Sequence, residues 1–232
     1  MRGEEKAKRI FSGAREENRS YVLEYEVKEI LKGYEIDVTK EVICKTTDEA
    51  LQAASSIGYP LVLKIVSTEV VHKSDSGGVK VGIKNENELK DEFNKMLNRY
   101  NEKYSSKGLK GISVQEMVSG EEVIIGVLND KQFGHMMMVG MGGIFVEIFK
   151  DVAYRLAPIE EDEAMEMLKE LKAYKLLTGY RGRKPANVEA LCKTISKISK
   201  ALDEIPEVKE MDLNPVFVND QRAVVADGRI FI

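Results

Sequence analysis

Residues 58–83 read GYPLVLKIVSTEVVHKSDSGGVKVGI, and the organisation of the chain follows from them. A Gly-Tyr-Pro turn delivers a leucine and β-branched run, LVLKIV, which reads as a buried strand. Ser67 to Gly78 is then a polar, glycine-ended loop, and Val79 to Ile83 alternates as a second strand. Just before this stretch, Thr46 and Glu49 form a capping box feeding the apolar stripe Ala50, Leu51, Ala54 and Ile57, which stops at Gly58. Just after it, Leu89, Phe93, Met96, Leu97, Tyr100 and Tyr104 recur at helical spacing and predict a surface helix over 86–104. Further out, Leu23 to Leu31 reads as a helix ending at Gly33, with strands around Glu41 to Lys45 and Ile112 to Met117. Strands alternating with amphipathic helices are the pattern of an α/β fold built in layers.

Beyond residue 118 the chain changes character. VIIGVLND, FGHMMMVG and IFVEIF read as three closely spaced antiparallel strands. Met165, Leu168 and Leu171 mark one helix, and Val188, Leu191, Ile195, Ile198 and Leu202 mark another. VKEMDLNPVFV and AVVADGRIFI close the chain as two strands around a turn at Asn219-Asp220. The expected division is a charged N-terminal arm or outer helix over 1–22 and two α+β lobes, 23–118 and 119–232. Two cysteines and two histidines in 232 residues leave no room for a zinc cluster or a disulfide framework. A net charge of -4, from 35 basic and 39 acidic residues interleaved, argues against nucleic acid as a partner. No apolar run reaches the length of a membrane span, and the charged first twenty residues contain no secretory signal, so a cytoplasmic protein is expected.

Several residues invite chemistry. Lys64 puts a full positive charge inside an apolar strand, where an unpaired ion costs several kcal/mol. It either meets an anion such as a nucleotide phosphate or snorkels to water from an edge strand. Gly77 and Gly78 form an anion nest or a plain turn, and Gly140, Gly142 and Gly143 fall short of a dinucleotide fingerprint because Phe145 stands at its last glycine position. Asp212, Asn214 and Asp227 bring hard oxygen ligands of the Mg²⁺ type onto paired strands, unless Asn-Pro and Asp-Gly are only turn chemistry. Glu116 and Glu122 flank the lobe junction, where strand backbone offers an adenine edge its hydrogen bonds and a carboxylate can hold ribose hydroxyls; a charged connector is the other reading. His72, in the polar loop, is either a nucleophile toward phosphorus or a solvated side chain. His135 is given no role, and Met136 to Met138 reads as core packing.

The order of LEYEVKEILKGYEIDV, GYPLVLKIVSTEVVHKSDSGGVKVGI, VQEMVSGEEVIIGV, GMGGIFVEIFKDVAYRLAP, LLTGYRGRKPANVEAL and EMDLNPVFV closely resembles the ATP-grasp β subunit of archaeal ADP-forming acetyl-CoA synthetases, from about Leu23 to Ile232. More distantly it is similar to the β subunit of succinyl-CoA synthetases. The resemblance implies an ATP-grasp fold, two lobes with the nucleotide held between them, in an acid–CoA ligase using Mg²⁺ and ATP or ADP as substrate. It implies a CoA-binding α subunit that carries a first phosphohistidine, in an α2β2 assembly. By motif, Lys64 would contact nucleotide phosphates and the loop with Gly77 and Gly78 would close over them. Glu116 and Val118 would form the adenine-facing hinge, with Glu122 near the ribose. Asn214 and Asp227 would bind Mg²⁺ with Asp212 beside them, and His72 would relay phosphate from the α subunit to ADP. The sequence departs from the family at Asn187, where relatives commonly have Asp; Arg181 is a candidate for an anion or subunit contact. Two other readings stand beside this one: an ATP-grasp carboxylate ligase that makes an acyl phosphate directly, and a nucleotide-binding subunit without catalysis.

Overall fold

A computed structural model describes residues 2–69, 77–104, 106–143, 146, 148–182 and 184–232, without the side chains of Ser106 and Arg181. In chain order the elements are α1 (Gly3–Glu16), β1 (Tyr21–Val22), α2 (Glu24–Gly33), β2 (Glu41–Cys44), α3 (Thr47–Ile57), β3 (Leu61–Ser67), β4 (Val79–Ile83), α4 (Glu86–Lys103) and β5 (Leu109–Glu116). They continue with β6 (Glu121–Asp130), β7 (Gly134–Met141), β8 (Val152–Leu156), α5 (Glu161–Lys169), α6 (Val188–Glu204), β9 (Glu210–Val218), β10 (Ala223–Val225) and β11 (Arg229–Phe231). Contacts group them into two units, Thr39–Val118 and Met1–Val38 with Ser119–Ile232.

The smaller unit is a four-stranded antiparallel sheet in the order β2-β5-β3-β4. Alternate residues of its strands, among them Cys44, Leu61, Leu63, Ile112 and Val114, pack on Ala50, Leu89, Phe93 and Met96 of α3 and α4. The helix starts are those the sequence encodes: Thr46 Oγ1 accepts the Glu49 N–H at 3.2 Å, and the Glu49 carboxylate accepts the Thr46 N–H at 3.3 Å. Asn85 caps α4 by accepting the Glu88 N–H.

The larger unit carries a seven-stranded antiparallel sheet, β1-β11-β9-β6-β7-β8 with β10 also on β9. Its core joins strand residues such as Ile125, Met137 and Leu213 to Phe11, Ile30, Leu168 and Ile195 of the helices. Three sequence expectations change here. Of the two readings of 1–22 the helix forms, but it is part of the larger unit and not a separate element. α1 buries Ala7, Phe11 and Ala14, and residues 1–38 belong with 119–232 because β1 pairs with β11. IFVEIF is not a strand where it is described: Val146 is helical and Ile148 and Phe149 lie in a turn, so β8 becomes the third antiparallel neighbour. The chain leaves β7 by a turn at Gly142 and Gly143, the latter at φ +61°, which ends the ladder ahead of IFVEIF, and Val146 then lies over Gly140, where an added Cβ would be 2.9 Å from Val146 Cγ2. Finally, AVVADGRIFI is two short strands, β10 and β11, and the connection between them carries Asp227. Among the described residues no helix is long and apolar enough to cross a membrane.

Candidate functional site

In the smaller unit, β3 lies between β5 and β4, so Lys64 is not on an edge strand, and it is 6% exposed. The snorkelling alternative falls on that geometry. Lys64 pairs across the ladder with Ser113 and Val79, and the next row on the same face runs Glu41, Gln115, Val62 and Val81. Ser113 and Gln115 are buried, and Ser113 Oγ donates to Glu41 Oε2 at 2.8 Å. One face of this sheet is therefore the apolar floor under two helices, while the other concentrates an ammonium, a hydroxyl, an amide and a carboxylate. Only strand register brings these groups together, so Ser113, Gln115 and Glu41 carried no sequence signal of their own.

The polar loop after β3 is pinned at both stems. At one, Glu69 donates its N–H to Ser67 Oγ at 3.0 Å, Ser67 Oγ and Tyr100 Oη lie 2.8 Å apart, and Tyr100 donates to Glu69 Oε2 at 3.1 Å. At the other, Ile65 donates its N–H to the Gly78 carbonyl at 2.8 Å. Gly77 has φ +68°, a conformation glycine adopts freely. Gly77 and Gly78 line a narrow crevice with Arg99 and Lys103. These two basic residues, four apart on α4, were the detectable signal that helical spacing alone passed over. His72 lies outside the described residues. At the end of β5, the Glu116 N–H donates to the Lys40 carbonyl and its Oε1 accepts the Lys40 N–H, both at 2.9 Å. That carboxylate thus fixes the strand end, and Val118, two residues on, is half-buried.

In the larger unit, Asp212 and Asn214 alternate outward from β9 while Met211 and Leu213 point into the core. The Asn214 N–H donates to the Asp227 carbonyl at 3.2 Å, and the Ala226 N–H donates to the Pro215 carbonyl at 3.0 Å, so the β10–β11 connection lies along β9. The turn reading fails on both dipeptides. Asn214-Pro215 sits inside a strand, and Gly228 is not among the positive-φ glycines. Gly228 serves close approach, because a Cβ there would lie 2.8 Å from Leu213 Cδ2 and 3.1 Å from Val27 Cγ1. We expect Gly228→Ala to cost about 1–3 kcal/mol in urea unfolding by overpacking and to displace Asp227 from Asn214.

The acid pair is electrostatically tense. Desolvation, then the charge of Asp227, push the Asp212 carboxyl above its ordinary value, with Glu210 adding and Arg229, opposite it in β11, opposing. Two carboxylates coupled in charge, with Asn214 on the same face of β9 as Asp212, are hard oxygen donors short of a full cage, a donor chemistry that fits Mg²⁺ completed by water and substrate phosphates. Among the described residues no group of three or more His, Cys, Asp or Glu is arranged for a metal. Glu122 is exposed at the start of β6, and its carbonyl accepts the Gly142 N–H at 2.6 Å. Gly142 is constrained by that contact, since a Cβ would lie 2.8 Å from Glu122 Cβ. His135 bonds through Nε2 to the Val208 carbonyl at 2.9 Å, a packing role. Asn187 caps α6 by accepting the Ala190 N–H at 2.9 Å, and its Nδ2 donates to the Gln221 carbonyl at 2.9 Å.

A split ATP-grasp architecture is what these units and motifs define, and residues 13–232 match the ATP-grasp domain family model. The chain belongs to that family and, within it, to the β subunits of ADP-forming acetate–CoA ligases. It is 44% identical over 228 residues, 98% of each chain, to the β subunit of acetate–CoA ligase [ADP-forming] I of Pyrococcus furiosus. Among solved structures it is similar to the dinucleotide-forming acetyl-coenzyme A synthetase 1 of Ca. Korarchaeum cryptofilum in complex with coenzyme A, Ca-AMPCP and HgCl+. That match has a TM-score of 0.92 and 42% identity, covering 97% of this chain and 99% of the other. A further structure of the Korarchaeum enzyme, with coenzyme A and Mg-AMPPCP and its phosphohistidine segment pointing towards the nucleotide binding site, matches with a TM-score of 0.86 at 39% identity over 97% of this chain and 99% of that one.

Proposed function

We propose that this chain is the nucleotide-binding subunit of a cytoplasmic ADP-forming acyl-CoA synthetase, catalysing acyl-CoA + ADP + phosphate ⇌ acid + CoA + ATP together with a CoA-binding subunit in an α2β2 assembly. The observation that carries this reading is identity of 44% over 98% of both chains with a subunit so named. In it, Lys64 neutralises nucleotide phosphates from the polar face of its sheet, and Gly77 and Gly78 shape the adjoining backbone. Backbone groups at Glu116 and Val118 take the adenine edge and Glu122 the ribose hydroxyls. Asp212, Asn214 and Asp227 hold Mg²⁺, which when bound neutralises charge on the transferring phosphoryl group. His72 accepts the phosphoryl group from the partner's histidine on a ring nitrogen; an ADP β-phosphate oxygen then attacks phosphorus and the N–P bond breaks, forming ATP. His72 favours this reading over the direct ligase, which needs no histidine carrier.

The test is product formation by the purified two-subunit complex supplied with acetate, CoA and Mg-ATP. Release of ADP and phosphate with formation of acetyl-CoA is expected, and omission of either subunit should abolish it. Formation of AMP, or turnover by this chain alone, would sink the assignment.

A further inference from the structure

Tyr100 closes a cycle of hydrogen bonds that begins and ends on Glu69. The Glu69 N–H donates to Ser67 Oγ at 3.0 Å, Ser67 Oγ and Tyr100 Oη lie 2.8 Å apart, and Tyr100 Oη donates to Glu69 Oε2 at 3.1 Å. With the phenol proton directed at Glu69, Ser67 donates to Tyr100, so each hydroxyl donates once and accepts once. Stacking on Tyr104, with ring centroids 5.2 Å apart, steadies the phenol. The backbone beside Glu69 is held as well. Thr68 donates its N–H to the Gly108 carbonyl at 3.0 Å, and a Cβ on Gly108 would lie 2.5 Å from Glu69 Cγ.

Satisfying buried groups does not account for this cycle. Ser67 and Tyr100 are buried and already partner each other, whereas Glu69 is exposed and water would solvate its carboxylate. Ordering an exposed glutamate gives up side-chain freedom, so what the cycle secures is geometry. Only Val70 and Val71 stand between Glu69 and His72 in the sequence, roughly 10 Å of chain at full stretch. We propose that Tyr100 is a positioning residue of the phosphoryl relay: by holding Glu69 it sets the point from which His72 is delivered to the nucleotide. The inference rests on the function proposed above. Without the cycle Glu69 would join the tether, and the effective concentration of His72 at the γ-phosphate would fall.

The test is the time course of transfer from saturating γ-labelled Mg-ATP to the purified two-subunit complex, with label counted on both subunits and Mg-ADP affinity measured beside it. In the step observed, a ring nitrogen of His72 attacks the γ-phosphorus, an N–P bond forms and the bond to the departing ADP oxygen breaks. Tyr100→Phe keeps the packing and removes the phenol's hydrogen bonds. Label should then appear at least about fivefold more slowly but reach the wild-type amplitude, with Mg-ADP affinity within about twofold. Glu69→Ala, at an exposed position, should be as slow. Glu69→Gln, which keeps an acceptor for the phenol, should approach the wild-type rate, and Tyr100→Phe/Glu69→Ala should be no slower than either single variant. A reduced amplitude at the wild-type rate, or Mg-ADP binding lost in both single variants, overturns the proposal and leaves the cycle a purely structural feature. Wild-type rates in both single variants, or additive losses in the double variant, overturn it too. Glu69→Gln as slow as Glu69→Ala would assign the effect to charge and overturn it likewise. The proposed function stands in each of these cases. A wild-type complex that binds nucleotide and takes no label removes the relay and this role together.

Discussion

His72→Ala is expected to remove all acid-labile phosphate from this chain and to lower ATP synthesis from acyl-CoA, ADP and phosphate by at least about 10³-fold. A covalent carrier has no substitute once its nucleophile is gone: water in its place discharges phosphate instead of passing it to ADP. Binding and transfer should separate in this variant, because the proposed nucleotide and metal contacts, Lys64, Asp212, Asn214 and Asp227, are all residues other than His72. Mg-ADP affinity should therefore stay within a few-fold of wild type. The measurement is transfer from γ-labelled Mg-ATP in the presence of the CoA-binding subunit, with the subunits separated before counting, because under the proposed relay a histidine of the partner would take label too. Retained turnover in the variant would replace the relay with a direct acyl phosphate made beside the nucleotide. Nucleotide binding with no label on the wild-type chain would leave a binding subunit.

How much of this was legible before the structure depended on whether a signal was local. The capping box at Thr46 and Glu49, the helical spacing from Leu89 to Tyr100 and the charge in LVLKIV are each contained within a dozen residues, and the corresponding elements form as read. Pairing of β1 with β11 joins the two ends of the chain and has no local trace, which is why local sequence sets residues 1–22 apart and places Leu23 to Val38 with 39–118. IFVEIF and VAYRL are both apolar enough for a strand. What separates them is the turn at Gly142 and Gly143, which takes the chain out of β7 ahead of IFVEIF, while VAYRL returns to pair with β7. At the candidate site, Asp212, Asn214 and Asp227 stood out as hard-ligand types at suggestive spacing. That Gly228 serves close approach and not a turn follows only from its φ and its neighbours. The groups around Lys64 were invisible because register, not sequence distance, puts Ser113 opposite it.

Asp212→Asn should move function and stability in opposite directions. In the folded chain the Asp212 carboxyl sits above its ordinary value through desolvation and then the repulsion of Asp227. A folded value above the unfolded one means the native state binds the proton more tightly. The ionised carboxylate therefore costs stability at neutral pH, and that cost vanishes as pH falls below the unfolded value near 3.9. Asparagine keeps the shape and removes the charge, so the metal-free variant should melt at the wild-type temperature or higher at pH 7, with the difference shrinking toward pH 4. The attraction to Arg229 that it loses is the smaller effect. Under the proposed function Mg²⁺ would reverse the sign, because Asp212 and Asp227 would then hold a divalent cation that offsets both charges. Mg-ADP affinity should fall at least about tenfold and turnover about 10²-fold, with partial recovery at high Mg²⁺. Scanning calorimetry with and without Mg²⁺, set beside a Mg²⁺ titration of turnover, reads both arms. A variant less stable without metal would make Asp212 a structural residue of β9, and one with unchanged Mg²⁺ dependence would remove it from the metal site.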